Sequence, residues 1–262
     1  MPTVEQVLAT IFATIPGAPP VDTVDTIKVG DPAQEVSGIV TTFLATHDVI
    51  RQTIARGANL IITHEPTFYN HRDEVDWLAD DPVYEAKRRL LEEQGIAVWR
   101  LHDSWHMRRP DGIMTGVLRQ LEWAEYALPE LPGLCEIPPI SLDALVAWFK
   151  AKMGICNLRL IGDGEMICRR VGLAIGASGG RRHITALGQA KLDVLAVGEL
   201  HEWETAEYVR DAQAQGRRQA LVVLGHAASE EAGMGYLAEW LAERLPEVEI
   251  VHIPAGDAFR YV

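Results

Sequence analysis

The stretch that decides the fold is Asn59-Leu60-Ile61-Ile62-Thr63-His64-Glu65-Pro66. Its continuous apolar run, from Asn59 to Thr63, predicts a short strand that is buried on both faces. A helical pattern over 48–57 precedes it and ends at a glycine, and a stretch rich in β-branched residues over 35–46 comes before that. Short apolar runs that alternate with helices are typical of a parallel sheet in an α/β protein.

The same alternation continues along the chain in both directions. The first half begins with a helical pattern over 4–15, and a helix over 83–94 is followed by a strand over 96–101. The second half has the same pattern. Its predicted strands cover 157–161, 171–175, 192–197 and 220–224, and its predicted helices cover 141–153, 202–215 and 230–245. We therefore predict two similar α/β halves with mainly parallel sheets.

A proline-rich segment separates these halves. Four of the 14 prolines lie between 129 and 139, where helices and strands would both lose hydrogen-bond donors. We predict an N-terminal half over 1–128, a linker over 129–140 and a C-terminal half over 141–262.

Composition limits the class of protein. The 262 residues are 48% hydrophobic, which is enough for a sizeable core and excludes disordered and fibrous classes. Thirty-seven acidic and 24 basic side chains give a net charge of −13, so the chain repels a phosphate backbone and nucleic acid is an unlikely partner.

Cysteines and the hydropathy pattern indicate a cytoplasmic protein. Cys135, Cys156 and Cys168 are scattered and odd in number, which favours core thiols in a reducing compartment over a disulfide framework or a thiolate metal site. The first residues lack the features of a secretion signal, and no apolar run is long enough to span a membrane.

Histidines and carboxylates follow four of the predicted strands. Because the carboxyl ends of parallel strands meet at one edge of a sheet, such side chains converge there. Imidazole and carboxylate donors suit a divalent metal. The candidate metal ligands are His64, Glu65, His106, His226 and Glu230, with His102 either as a further ligand or as a partner that orients one. Glu199 and His201 follow a neighbouring strand.

The spacing of these residues favours two metal ions. His102 and His106 are four residues apart, as are His226 and Glu230, so each pair faces one side of a helical turn. His64 and Glu65 are adjacent, and neighbouring side chains at the end of a strand point to opposite sides, which suits two ions. Zinc, manganese, iron, nickel and cobalt remain open.

A dinuclear site predicts hydrolysis of a small molecule. Hydroxide bound to the metal pair would attack, Glu230 would bridge the ions, and Glu199 or His201 would act as general base or acid. The spacing does not distinguish ring opening, as in a cyclohydrolase, from phosphoester cleavage. The alternative is a non-catalytic scaffold or metal-handling protein, and the simplest alternative is an α/β protein whose histidines only pack.

Two other features are interpreted as structural. His47, His71, His183 and His252 lack both a strand-exit position and a spaced partner, and we assign them to caps, the surface or the core. The turn Gly176-Ala177-Ser178-Gly179-Gly180, followed by two arginines, could bind a phosphate through its amides. It matches no nucleotide-loop pattern, so we interpret it as a tight strand-to-helix turn.

Five blocks together resemble the NGG-one-interacting-factor-three-like family, dinuclear-metal hexameric proteins also described as GTP cyclohydrolase I type 2. The blocks are Gly57–Tyr69, Leu101–His106, Gly176–Gly180, Gly198-Glu199 and Gly225–Glu230. The resemblance implies a two-part α/β subunit in a toroidal homohexamer, with the metal pair at the junction of the two halves.

The chain departs from the family pattern at three positions. Glu65 stands where a second histidine is usual, and His106 stands where an aspartate is usual. These two changes exchange one nitrogen and one oxygen donor, which implies a retained but rearranged site. Trp203 occupies the place of a further family histidine, with His201 nearby. The net charge gives GTP, the substrate attributed to some members, little independent support.

Overall fold

The structure is a computed structural model that describes all residues, 1–262. The chain forms two compact units. Unit 1 comprises 1–116 and 233–256, and unit 2 comprises 117–232 and 257–262. None of the helices combines the length and the apolar character needed to cross a membrane.

Unit 1 contains a five-stranded sheet in the order β1-β4-β3-β2-β10. All neighbouring pairs are parallel except β1 with β4. The strands are β1 (Ile27–Val29), β2 (Gly38–Thr42), β3 (Leu60–Thr63), β4 (Ala97–Arg100) and β10 (Glu249–His252). The helices that begin in this unit are α1 (Val4–Phe12), α2 (His47–Ala55), α3 (Pro82–Glu93), α4 (Asp103–Met107) and α5 (Gly112–Gln120), with a 3₁₀ turn at Asp76–Leu78.

Unit 2 contains a second five-stranded sheet in the order β5-β7-β8-β9-β6. Its three central strands are parallel, and both edge strands are antiparallel to them. The strands are β5 (Leu134–Ser141), β6 (Arg159–Ile161), β7 (Ile167–Ala174), β8 (Val194–Val197) and β9 (Ala220–Val223). The helices are α6 (Leu142–Met153), α7 (Gly180–Gln189), α8 (Glu207–Ala214) and α9 (His226–Ala242), and a π-helical turn spans Glu202–Ala206.

Each unit has an apolar core of its own around its sheet. In unit 1, Val40, Ile61 and Val98 of three neighbouring strands pack in one cluster with Leu91 of α3. In unit 2, Leu195 and Leu221 pack with Leu187 of α7. Strands β2, β3, β4, β8 and β9 are buried at every position, which explains why their sequences are largely continuous apolar runs.

The predicted fold class, two α/β halves with mainly parallel sheets, is confirmed. The predicted runs correspond to observed elements within a few residues, whereas β1, β5, β10, α4 and α5 were not predicted. Helix α6, for example, begins after Ser141, whose side chain accepts a hydrogen bond from the amide of Ala144.

The proline-rich segment contains a strand where the sequence predicts a linker. Much of it forms edge strand β5, and Pro138 and Pro139 lie where the register with β7 shifts, between Glu136 and Ile140. Proline is tolerated at such a place because an edge strand with a bulge does not need every amide. The units are also not divided at 129–140, because the chain leaves unit 1 after Gly116 and returns to it at Gly233.

Candidate metal centre

Three histidines meet at the carboxyl end of the unit 1 sheet. His64 directly follows β3, and His102 follows β4, its parallel neighbour in the sheet. His106 lies one turn later, on α4. One ligand nitrogen of each ring lies within 4.8 Å of those of the other two. The ring centroids are 4.6 Å apart for His64 and His102, and about 5 Å apart for the other two pairs, at 5.2 and 5.1 Å.

Each imidazole of this triad (His64, His102 and His106) has an acceptor at Nδ1. The Nδ1 atom of His64 is 3.1 Å from the carbonyl oxygen of Leu101, that of His102 is 2.9 Å from Asp103, and that of His106 is 2.8 Å from Asp111. An acceptor at Nδ1 favours the tautomer that carries its proton there, so that Nε2 has the lone pair. Metal-binding histidines in proteins are oriented by such partners.

Asp25 fixes the segment that carries two of these histidines. Its buried carboxylate accepts hydrogen bonds from the amides of His102 at 2.6 Å, Asp103 at 3.0 Å and Ser104 at 2.7 Å. These are amides at the start of α4 that have no partner within the helix. Thr23 donates to Asp103 at 2.8 Å, so the partner of His102 is also held.

The local electrostatics keep His102 neutral. Burial is the largest effect and lowers the pKa of His102 to about 3, and the neighbouring His64 lowers it further, whereas the hydrogen bond with Asp103 opposes the shift. Burial alone would raise the pKa of Asp103, but hydrogen bonds from His102, Thr23 and the amide of Val24 lower it below its usual value. A neutral imidazole beside a carboxylate is the form that binds a metal.

Glu65 lies beside the triad and is held by a buried arginine. One of its carboxylate oxygens is 3.6 Å from Nε2 of His102, and the other is 3.3 Å from the guanidinium of Arg100. Arg100 is 0% exposed and also donates to the carbonyl oxygens of His64 and His71, at 3.0 and 2.5 Å. Three imidazoles and a nearby carboxylate form a donor set that fits zinc, iron, manganese, nickel or cobalt.

Unit 2 has a cluster of its own at the carboxyl end of its sheet. His226 begins α9 and Glu230 lies one turn later, with His226 Nε2 and Glu230 Oε2 3.1 Å apart. Glu199, which follows β8, lies 3.6 Å from Nδ1 of His226. Glu230 is only 4% exposed. The predicted contact between His226 and Glu230, which are four residues apart, is therefore present, and Glu199 lies beside His226.

The glycine-rich turn after β7 packs directly against this acidic cluster. Gly176 has a φ of +68°, and a Cβ atom there would lie 2.2 Å from Oε1 of Glu230. Its amide donates to Ser229 Oγ at 3.0 Å, and that hydroxyl donates to the carbonyl oxygen of His226 at 2.7 Å. The turn thus serves backbone geometry, as predicted, and it also packs closely against Glu230.

The environment of His201 differs from that of Glu199. Its side chain is 73% exposed and its ring stacks on that of Trp203, which is equally exposed, with a centroid distance of 5.8 Å. Its ring nitrogen lies 3.6 Å from Glu204. A π-helical turn begins at Glu202, and such turns are frequent at functional sites.

Several residues near the triad were not predicted from the sequence as part of a site. Asp25 and Asp111 do not follow any predicted strand, and the helix that begins after Asp111 was itself not predicted. His71, assigned to caps, surface or core, lies with its ring centroid 6.4 Å from that of His102. Arg100 is part of an otherwise apolar strand run and has no pattern of its own.

Comparison with known proteins identifies the family. The pattern of the family Duf34/NIF3 (NGG1p interacting factor 3) matches residues 21–257. This chain belongs to the Duf34/NIF3 family. The resemblance predicted from the sequence blocks is therefore confirmed.

Relatives of this NIF3-family chain are distant in sequence and close in fold. A GTP cyclohydrolase 1 type 2 homolog of Escherichia coli K12 is 24% identical over 238 residues, which covers 84% of this chain and 86% of that protein. A Bacillus cereus protein related to NIF3 has a TM-score of 0.78 at 14% identity, with 100% and 99% of the two chains covered. Staphylococcus aureus protein SA1388 has a TM-score of 0.76 at 18% identity, with 100% of both chains covered.

Proposed function

We propose that this chain binds divalent metal through His64, His102 and His106 and uses it to hydrolyse a small molecule. The observation that carries the proposal is the arrangement of the triad, in which an acceptor holds Nδ1 of every ring and the ligand nitrogens converge within 4.8 Å. Histidines that only pack have no need for three such partners around one point.

We extend the proposal to the other residues predicted as ligands. Glu65 would add an oxygen donor beside His102, and His226 and Glu230 would hold a second ion, which gives two divalent ions in total. The proximity of His226 and Glu230 and the burial of Glu230 support this part, because a buried carboxylate needs a positive partner. A shared dinuclear centre at the junction of the halves stays a prediction from the family resemblance.

A divalent ion in such a site acidifies water and stabilises negative charge that develops on a substrate. The chain itself would supply orientation and proton transfer. Asp103 and Asp111 orient two imidazoles and increase their basicity toward the metal. Glu199, whose side chain is more than half exposed beside His226, would move a proton as general base or acid. His201 is the second candidate for that role.

The names of the relatives support a substrate class for this proposal, and the net charge limits how such a substrate would bind. The name GTP cyclohydrolase 1 type 2 homolog suggests ring opening of a purine nucleotide, and phosphoester cleavage uses the same metal chemistry. The chain carries a net charge of −13, so we expect anionic substrates to need the bound metal for binding.

Metal content of matched variants tests the proposal. We expect the purified protein to hold metal, His106→Ala to lose it, and His47→Ala, which removes an exposed histidine on α2, to retain it. Elemental analysis per chain gives the result. Wild-type protein that stays free of metal after reconstitution would overturn the proposal.

Turnover is tested on the metal-loaded protein. We expect release of product from GTP or from p-nitrophenyl phosphate, and its loss in Glu230→Gln. Full metal content without turnover on nucleotides or phosphoesters would favour the non-catalytic scaffold. Light scattering tests the hexamer that the resemblance implies, for which we expect six chains per particle.

A further inference from the structure

A serine and a histidine meet in the glycine-rich turn of unit 2, outside the proposed metal ligands. Ser178 Oγ and His183 Nε2 share a hydrogen bond of 2.8 Å, and His183 Nδ1 lies 3.0 Å from Thr205 Oγ1. His183 and Thr205 are completely buried, whereas Ser178 is half-buried between exposed neighbours. The three side chains form a line that runs from solvent into the core.

We propose that Ser178, activated by His183, is a nucleophile that reacts with activated esters. The distance between Oγ and Nε2 is that of a nucleophile and its general base in hydrolases that form covalent intermediates. A tautomer with the proton on Nδ1 directs it to Thr205 and leaves Nε2 to accept the proton of Ser178. Thr205 is thus the positioning residue of the pair.

The surroundings of His183 suit a base. Burial lowers the pKa of His183 below its usual value, so the ring is neutral and can accept a proton, and the charge of Glu204 partly opposes the shift. The same carboxylate would stabilise the imidazolium when it forms. It can lie close to the start of α7 because residue 180 is a glycine, where a Cβ atom would lie 2.1 Å from Oε2 of Glu204.

Backbone amides of the turn adjoin Ser178 in the chain. Gly179 has a φ of +87°, a conformation that glycine adopts without strain. The amides of Ser178, Gly179 and Gly180 donate no hydrogen bond within the chain. They are N–H groups near the nucleophile that a developing oxyanion can use.

The reaction is a two-step hydrolysis that needs only water. Oγ of Ser178 forms a bond to the carbonyl carbon of the ester while its proton passes to Nε2 of His183. The bond to the leaving alkoxide then breaks, and the alkoxide takes that proton. Water, which gives a proton to His183, cleaves the acyl-serine, releases the acid and restores the serine.

A fluorophosphonate probe tests this proposal by mass spectrometry. We expect one covalent adduct per chain on the peptide that contains Ser178, and none in Ser178→Ala. Ser141→Ala is the matched control, because Ser141 is also half-buried but caps a helix and has no histidine partner, and it should be labelled like wild type. No adduct on folded wild-type protein, or an adduct on another residue, would overturn the proposal.

Variants of the other two residues separate a catalytic pair from a structural one. His183→Gln should slow labelling by about 100-fold. Thr205→Val, which keeps the volume of the side chain, should slow it less and should fold even where the His183 variant does not. Labelling that is equally fast in Thr205→Val and wild type would contradict the positioning role.

The metal-free protein makes this site distinguishable from the proposed metal hydrolase. Labelling of Ser178 and an initial burst with p-nitrophenyl acetate, equal to the amount of protein, should both persist after dialysis against EDTA. Loss of both on metal removal would assign the reactivity to the metal site and overturn the independent nucleophile.

Discussion

At the carboxyl end of the unit 1 sheet, His64, His102 and His106 are held by hydrogen-bond acceptors at Nδ1, whereas in unit 2 His226 and Glu230 lie against a glycine-rich turn. In unit 1, two carboxylates and one backbone carbonyl orient the candidate ligands. In unit 2, close approach of the backbone orients them. The two clusters should therefore fail in different ways when their supports are changed.

The largest effect is expected for Asp25→Ala in unit 1. The substitution leaves three amides at the start of α4 without their carboxylate, and hydrogen bonds to charged groups contribute about 1.5–3 kcal/mol each. We expect about 3 kcal/mol or more of lost stability in urea denaturation, together with loss of bound metal.

Asp31→Ala is the control for this change, because the exposed Asp31 accepts a single amide hydrogen bond, from Ala33. It should cost less than about 1 kcal/mol. Equal losses in the two variants would show that Asp25 does not fix α4.

The corresponding change in unit 2 is Gly176→Ala. Its Cβ atom would lie 2.2 Å from Glu230 Oε1, so the carboxylate must move and metal affinity should fall at least tenfold. Gly57→Ala is a matched control, since it has a similar φ of +67° but nothing within 4 Å. It carries only the backbone cost of about 1 kcal/mol. Equal metal affinities of the two variants in calorimetric titration would contradict the inference that the close approach of Gly176 positions Glu230.

A smaller effect is expected for Asp111→Asn. Asparagine keeps an oxygen for the amide of Met114 but loses the charge beside Nδ1 of His106. Metal affinity should fall about tenfold, while stability stays within about 1 kcal/mol. Asp81→Asn, which changes the N-cap of α3 without a histidine partner, should leave metal titrations unaltered.

The smallest effect concerns pH and His252 of unit 1. Burial lowers the pKa of His252 below the usual 6.5, whereas a hydrogen bond to Thr41 opposes the shift. Below about pH 6.5 the unfolded chain therefore binds a proton that the folded chain does not, and stability falls as pH falls. Urea denaturation of metal-free protein between pH 7 and 5 gives the slope of the unfolding free energy against pH. His252→Gln should reduce this slope by an amount that corresponds to less than one bound proton. An unchanged slope in His252→Gln would refute the assignment.

The sequence predicted the parts of the site that depend on local pattern. His64 and His102 follow neighbouring parallel strands, which explains why these two rings meet, and His226 and Glu230 have helical spacing, which explains their contact. Asp25 could not be found in this way, because it meets α4 across 77 residues of sequence. The edge strand β5 was hidden because its prolines are compatible with a strand only at an edge, which a single chain does not reveal.

The position of β10 bears on how the protein is made. Thr41 of β2 and His252 beside it are separated by 211 positions in the chain, and all of the unit 2 sheet lies between them. During synthesis, the strands of unit 2 are therefore complete before the sheet of unit 1 receives its last strand. Pairing over such a separation is slow because the closure of a long loop costs entropy. The unit whose first strands are translated earliest is thus the unit whose sheet receives its last strand latest.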